Sequence, residues 1–135
     1  MVDLQREIIN TLNNNFNIKV YGEGKKQDFA KPSFSVREID RQYYKQVGGF
    51  IRTNYQLLIE YFPTVSKRQN TECRTMGLEL LKIFNFYEDL KLHPTEITHE
   101  IHDEVLQFHI DFSIRYEMVD NSPLIRHAQF RSEIK

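Results

Sequence analysis

Leu106-Gln107-Phe108-His109-Ile110-Asp111-Phe112-Ser113-Ile114-Arg115-Tyr116 alternates large apolar and polar residues without a break. Successive side chains of a β-strand point to opposite faces. The stretch therefore predicts a long strand with one dry face, made of Leu106, Phe108, Ile110, Phe112, Ile114 and Tyr116. That face cannot stay in water, so partner strands and a helical cover must come from elsewhere in the chain. Just before it, residues 90–102 read as an extended segment interrupted by Pro94, and Asp103-Glu104 as a tight turn. The turn sets Ile101 opposite Leu106, His99 opposite Phe108 and Ile97 opposite Ile110, so the apolar parities of the two strands agree.

Upstream, Phe50 to Phe62 alternates in the same way, with Tyr55, Leu57, Ile59 and Tyr61 on one face and Gln56, Leu58 and Glu60 on the other. Gly48-Gly49 can supply the positive φ angles of a two-residue hairpin turn leading back to an extended run that begins at Pro32. Pairing Val47 with Phe50 would set Ile39 opposite Leu58 and Arg37 opposite Glu60. Phe34 and Val36 share a face but Ile39 has the other parity, so either the face changes or a bulge intervenes. Ile18 to Tyr21 reads as a short strand.

Two segments carry helical periodicity. In residues 3–16, Leu4, Ile8, Leu12 and Phe16 recur every four positions beside Ile9, and Asp3 is placed to cap the helix start. Asn13, Asn14 and Asn15 favour a turn or left-handed exit. The second helix follows Pro63, with Ser66, Asn70 or Thr71 as cap, and runs to about Phe86. Its stripe is Cys73, Met76, Leu80, Phe84 and Tyr87, and Gly77 beside it predicts close approach to a sheet. The expected fold is α+β: a mostly antiparallel or mixed five-stranded sheet with two helices on one face, in the order α-β-β-β-α-β-β. It forms a single domain over residues 1–117, followed by a C-terminal tail, 118–135.

Composition narrows the function. A chain of 135 residues can bury about two thirds of its unfolded surface and needs no staples. The net charge of −1 gives no global attraction to nucleic acid or anionic lipid. Cys73 is the only cysteine, which excludes an internal disulfide and a thiolate zinc cluster and makes a reducing cytoplasm the default. Asp3, Arg6 and Glu7 break up the N-terminus as a signal peptide, and no apolar run approaches the length that spans a membrane.

No constellation carries chemistry. His93, His99, His102 and His109 cluster in sequence, but strand parity sends His99 and His102 to opposite faces and leaves His102 and His109 unpaired with each other. Glu38 and Asp40 lack the lysine of a metal-dependent nuclease. Gly22-Glu23-Gly24-Lys25 lacks the spacer of a phosphate loop and reads as solvated loop. Cys73 sits in an apolar stripe, where a thiol is inert. No catalytic residue, metal site or cofactor is expected, and the chain does not read as an enzyme. What stands out is a basic and aromatic cluster on the first hairpin: Arg37, Arg41, Tyr43, Tyr44, Lys45, Phe50 and Arg52. Lys25, Lys26 and Phe29 of the preceding loop join it as candidate interface residues. Such a composition suits base stacking or a protein hot spot. With the net charge negative, a protein interface is the better reading.

Several motifs in order resemble the phage tail terminator family of Gram-positive tailed phages and prophages. They are the amphipathic N-terminal helix, Lys31-Pro32-Ser33-Phe34-Ser35-Val36, and Tyr55-Gln56-Leu57-Leu58-Ile59-Glu60-Tyr61-Phe62-Pro63. Leu78-Glu79-Leu80-Leu81 and Leu106-Gln107-Phe108-His109-Ile110 complete the set. The likeness runs from about residue 3 to residue 118. It implies a structural protein of the virion, assembled in the host cytoplasm, that forms a ring, usually a hexamer, at the tail–head junction. That ring caps the tail tube, ends its polymerisation and offers a surface to the head. Its implied partners are further copies of itself, the tail tube protein and the head–tail connector protein, with no small-molecule substrate, membrane or nucleic acid. A neck or connector protein of similar size, or a small nucleic-acid-binding regulator using the first hairpin, are the alternatives.

Overall fold

The computed structural model describes residues 3–22, 31–64, 67–85, 94–119 and 129–134. Its elements are α1 (Leu4–Asn15), β1 (Lys19–Tyr21), β2 (Ser33–Lys45), β3 (Phe50–Phe62), α2 (Gln69–Asn85), β4 (Glu96–His102), β5 (Val105–Val119) and β6 (Gln129–Ile134). The fold is α+β, a mixed sheet with two helices on one face, in the element order that the sequence patterns predict. The strands lie side by side as β1-β2-β3-β5-β4. Only the β1–β2 pair is parallel.

β3 and β5 are the inner strands, each with a dry face long enough to serve neighbours on both edges. The register of β5 against β3 places Leu106 opposite Tyr61, Phe108 opposite Ile59, Ile110 opposite Leu57 and Phe112 opposite Tyr55. All eight are buried, and they form one core with Phe34 and Val36 of β2. Over this face α1 contributes Leu4, Ile8 and Leu12, and α2 contributes Cys73, Leu80 and Phe84. Asp3 caps α1, its side chain accepting from the Arg6 N–H at 3.2 Å. The exit of α1 differs from expectation. Phe16 is extended, at φ −133°, because its ring packs on Phe34 with centroids 5.4 Å apart. Core burial of that ring overrides the local preference of the asparagines.

The β4–β5 hairpin has the expected register, and both turn residues, Asp103 and Glu104, have positive φ (49° and 64°), as a two-residue hairpin turn requires. The β2–β3 hairpin departs from the simple register. Gln46 N–H donates to Phe50 O at 2.8 Å, so the loop is Val47-Gly48-Gly49 rather than the glycine pair alone, with both glycines at φ 80°. A register shift between Glu38 and Asp40 makes Ile39 the extra residue of a bulge. Arg37 therefore faces Leu58, and Ser35 faces Glu60. Arg37 still reaches Glu60 diagonally, at 3.7 Å, in a half-exposed pair worth at most about 1 kcal/mol.

The C-terminal segment read as tail contributes a sixth strand. β6 pairs antiparallel with the second half of β5, on the edge that β4 covers in the first half. Gln129-Phe130-Arg131-Ser132-Glu133-Ile134 has too little apolar alternation to signal a strand. The pairing edge left free by the shorter β4 makes it one.

Gly77 lies on α2 over the sheet as expected. A Cβ there would stand 3.0 Å from His99 Nδ1 and 3.7 Å from Leu106 Cδ1. His99 is exposed and can swing aside. Gly77→Ala should therefore alter stability by less than about 1 kcal/mol, the helix-propensity gain offsetting the contact. Gly77→Leu should cost about 1–3 kcal/mol through overpacking. Urea denaturation of the two variants checks both values.

The start of α2 is tied to the end of β3 through one carboxylate. Glu72 accepts from Tyr61 OH (2.6 Å), Thr64 Oγ1 (2.6 Å) and Thr64 N–H (3.0 Å). Burial resists its ionisation, but these hydrogen bonds from Thr64 and Tyr61 outweigh burial and hold the carboxyl below its ordinary value of 4.5. A carboxyl with a depressed folded pKa contributes stability in full above its unfolded pKa. That contribution is lost as pH falls through the folded value. Glu72→Gln should thus lower the melting temperature at neutral pH and flatten the decline below about pH 4.5. An unchanged acid limb in the variant would show that Glu72 does not drive it.

Candidate interaction surface

The bulge at Ile39 decides how the cluster on the first hairpin is displayed. Before it, the even residues Phe34 and Val36 face the helices. After it, odd residues take that face, since Arg41 lies opposite Tyr55 and Tyr43 opposite Thr53. The core ends near this point, and every residue of β2 from Ile39 to Lys45 is exposed. Tyr43 and Tyr44 expose 56% and 47% of their surface and Val47, at the tip, 94%. Two large aromatics and an apolar tip in water are what a partner surface would cover.

The bulge also splits the predicted cluster between two faces. On the helix side stand Arg41, Tyr43 and Lys45. Arg41 is clamped by both oxygens of Glu38, at 2.6 and 2.7 Å, donates to Tyr43 OH at 3.2 Å, and lies over the Tyr55 ring at 4.9 Å. Hydrogen bonds to Glu38 and Tyr43 push its pKa further up, so it is a fixed cation. On the opposite face Tyr44 is paired with Arg52. Tyr44 OH donates to Gln42 Oε1 at 2.6 Å, and Arg52 Nη1 donates to Ser113 Oγ at 3.0 Å. Phe50 is half-buried beneath the Arg115 guanidinium, 3.6 Å from the ring centroid. Its face is already occupied, which leaves Tyr43 and Tyr44 as the open aromatics. Arg37 is not part of this group, since it sits below the bulge, beside Glu60. Lys25, Lys26 and Phe29 lie outside the described residues, as does His93.

Glu38, Tyr55 and Arg115 are the members that sequence reasoning missed. Tyr55 and Arg115 are joined to the cluster by strand register, and Glu38 by the bulge that sets it beside Arg41 on its own strand, none of which local pattern reveals. The buried end of the hairpin is polar as well: the Tyr55 and Tyr116 hydroxyls are 2.7 Å apart. Burial, followed by that hydrogen bond, pushes the Tyr55 pKa up, so Tyr55 stays a neutral phenol.

The face away from the helices carries an open groove of about 310 Å³ lined by Asp40, Gln42, Arg52, Asn54, Asp111 and Ser113. Burial, then the charge of Glu96, raises the Asp111 pKa. Amides, two carboxylates and one guanidinium suit a polar protein contact, and no nucleophile is paired with a base. Cys73 is buried, its thiol 3.6 Å from Glu104 O and pushed up by burial. Among the described residues no group of three or more His, Cys, Asp or Glu side chains is placed to hold a metal ion.

A family model described as phage tail terminator protein matches residues 3–123 of the 135. The chain belongs to the phage tail terminator family. No match was found among curated proteins. A tail terminator has a structural role in the phage tail, is located in the virion and meets tail and head components. For this tail terminator, the family match spans both helices and β1 to β5 in full, so it covers the scaffold as well as the projecting hairpin. It stops short of β6. Among the described residues no helix is long and apolar enough to cross a membrane.

Proposed function

We propose that this tail terminator assembles as a ring, usually of six copies, on the finished end of the tail tube. The ring ends tube polymerisation and presents the surface to which the head connector joins. Assembly takes place in the host cytoplasm, and the bound partners are neighbouring copies, the tube protein and the connector. No catalytic residue, metal or cofactor takes part. The observation that carries this reading is the family match combined with a sheet from which the β2–β3 hairpin projects the exposed Tyr43 and Tyr44 of β2 beyond the core. A head-to-tail ring needs two different surfaces on each subunit. The aromatic hairpin at one side of the sheet and the β4 edge at the other differ in composition and charge. Residues 118–135 are proposed as an appendage to the domain of residues 1–117, since most of them fall outside the family match.

The test is a phage or prophage in which this gene is deleted. Tails should then be headless, with tubes of variable and excessive length in electron micrographs, and a supplied copy should restore uniform length. Tubes of normal length without heads would instead assign the protein to the neck.

A further inference from the structure

β2 is a thirteen-residue strand covered on its outer edge by a three-residue one. β1 pairs only with Ser33 to Ser35, and the Gln5 side chain takes the Val36 carbonyl at 2.9 Å. Beyond the bulge, no described strand pairs with the outer edge of Ile39 to Lys45. Backbone groups in an antiparallel pair alternate between the partner and the open side. Gln46 N–H points at β3, so the N–H and C=O groups of Arg41, Tyr43 and Lys45 point outward. At the far side of the sheet β4 is also an edge. His102 and Val105 flank its two-residue turn and are bonded to each other, so Ile97, His99 and Ile101 point their backbone groups outward.

These two edges are complementary in two independent ways. In direction, each neighbouring pair from β2 through β3 and β5 to β4 is antiparallel, so β2 and β4 run oppositely. A second copy set edge to edge would bring them together in the antiparallel sense. In facing, the outward-bonding residues of both strands carry their side chains on the helix side. A joined sheet would thus keep its helices on one surface.

We infer that the outer edge of β2 between Ile39 and Lys45 pairs antiparallel with the outer edge of β4 in a second copy of this chain, so that one sheet continues from subunit to subunit. This deepens the ring assembly proposed above and rests on it for closure. Exposed strand edges of this length invite pairing, and a pairing between two different edges is head-to-tail. The edges lie at different heights, since Tyr44 is level with Arg115 of β5 and Thr98 with His109. Joining them offsets each subunit along the strands, which a closed ring absorbs by tilting its strands against the ring axis, as barrels do.

The test is disulfide trapping in the full chain, with Tyr44→Cys combined in turn with Glu96→Cys, Thr98→Cys or Glu100→Cys. Cys73 is buried and stays as it is. Within one subunit, β2 and β4 are three strand spacings apart, roughly 14 Å, beyond the reach of a disulfide. Oxidation in the presence of tail tubes should give a ladder of covalent oligomers for at least one pair, while each single-cysteine variant stops at dimers. Rings visible on the tubes with no ladder from any of the three pairs would overturn the edge pairing and leave the ring standing. A ladder that builds open filaments and no rings would support the edge pairing and remove the ring. Absence of both rings and ladders would overturn the two together.

Discussion

Phe108→Ala and Ile110→Ala should each lower the unfolding free energy by about 2 to 5 kcal/mol. Both side chains are fully buried at the centre of the sheet, opposite Ile59 and Leu57 on one side and His99 and Ile97 on the other. Phe108 also lies under Phe84 of α2, with ring centroids 6.3 Å apart, so truncation removes contact with both layers. The loss combines the transfer free energy of the deleted atoms with the cavity left behind. A neighbourhood fixed by five strands collapses little into such a space. At this chain size a shift of several degrees or more in melting temperature should follow. Equal melting temperatures for both variants and the parent would show that the even face of β5 is not the core.

Tyr43→Ala combined with Tyr44→Ala should have the opposite profile: little effect on the fold and loss of function. Both rings are largely in water, so their removal should cost the monomer no more than about 1 kcal/mol, mostly as strand propensity. In the proposed assembly they are the open aromatics of the hairpin, and rigid aromatic anchors dominate interface energies. The double variant should keep its circular dichroism spectrum and fail to cap tubes, giving tails of uncontrolled length. Capped tails of normal length from this variant would remove the hairpin tip from the essential contacts and shift attention to the C-terminal strand. Phe50→Ala is a weaker probe, because its ring is engaged by Arg115, and its loss confounds interface and fold.

These two variants also separate what local pattern reveals from what it does not. Alternation in β3 and β5, the four-residue repeat in α1 and the Asp103-Glu104 turn are each written within a few consecutive residues. One buried face per element is enough to define the element, its parity and the β4–β5 register. The α+β class and the two helices on one face followed from those short-range signals, whereas the family was suggested by the order of several motifs and shown by the family match. The cluster of tyrosines and arginines was visible as composition for the same reason.

Its geometry was not visible. One extra residue at Ile39 turns Arg41 and Tyr43 to one face and Tyr44 to the other, and a bulge has no local signature beyond a change of parity. Strand register across 61 residues brings the Tyr55 and Tyr116 hydroxyls together, and the diagonal stacking of Arg115 closes over Phe50. β6 depends on an edge of β5 that β4 leaves free, which is a property of the sheet and not of Gln129 to Ile134. The sequence alone determined the elements and their dry faces, because burial of a side chain every second or every fourth residue is a local demand. The tertiary structure decided which faces and edges stay open, because that depends on how far each neighbouring strand extends.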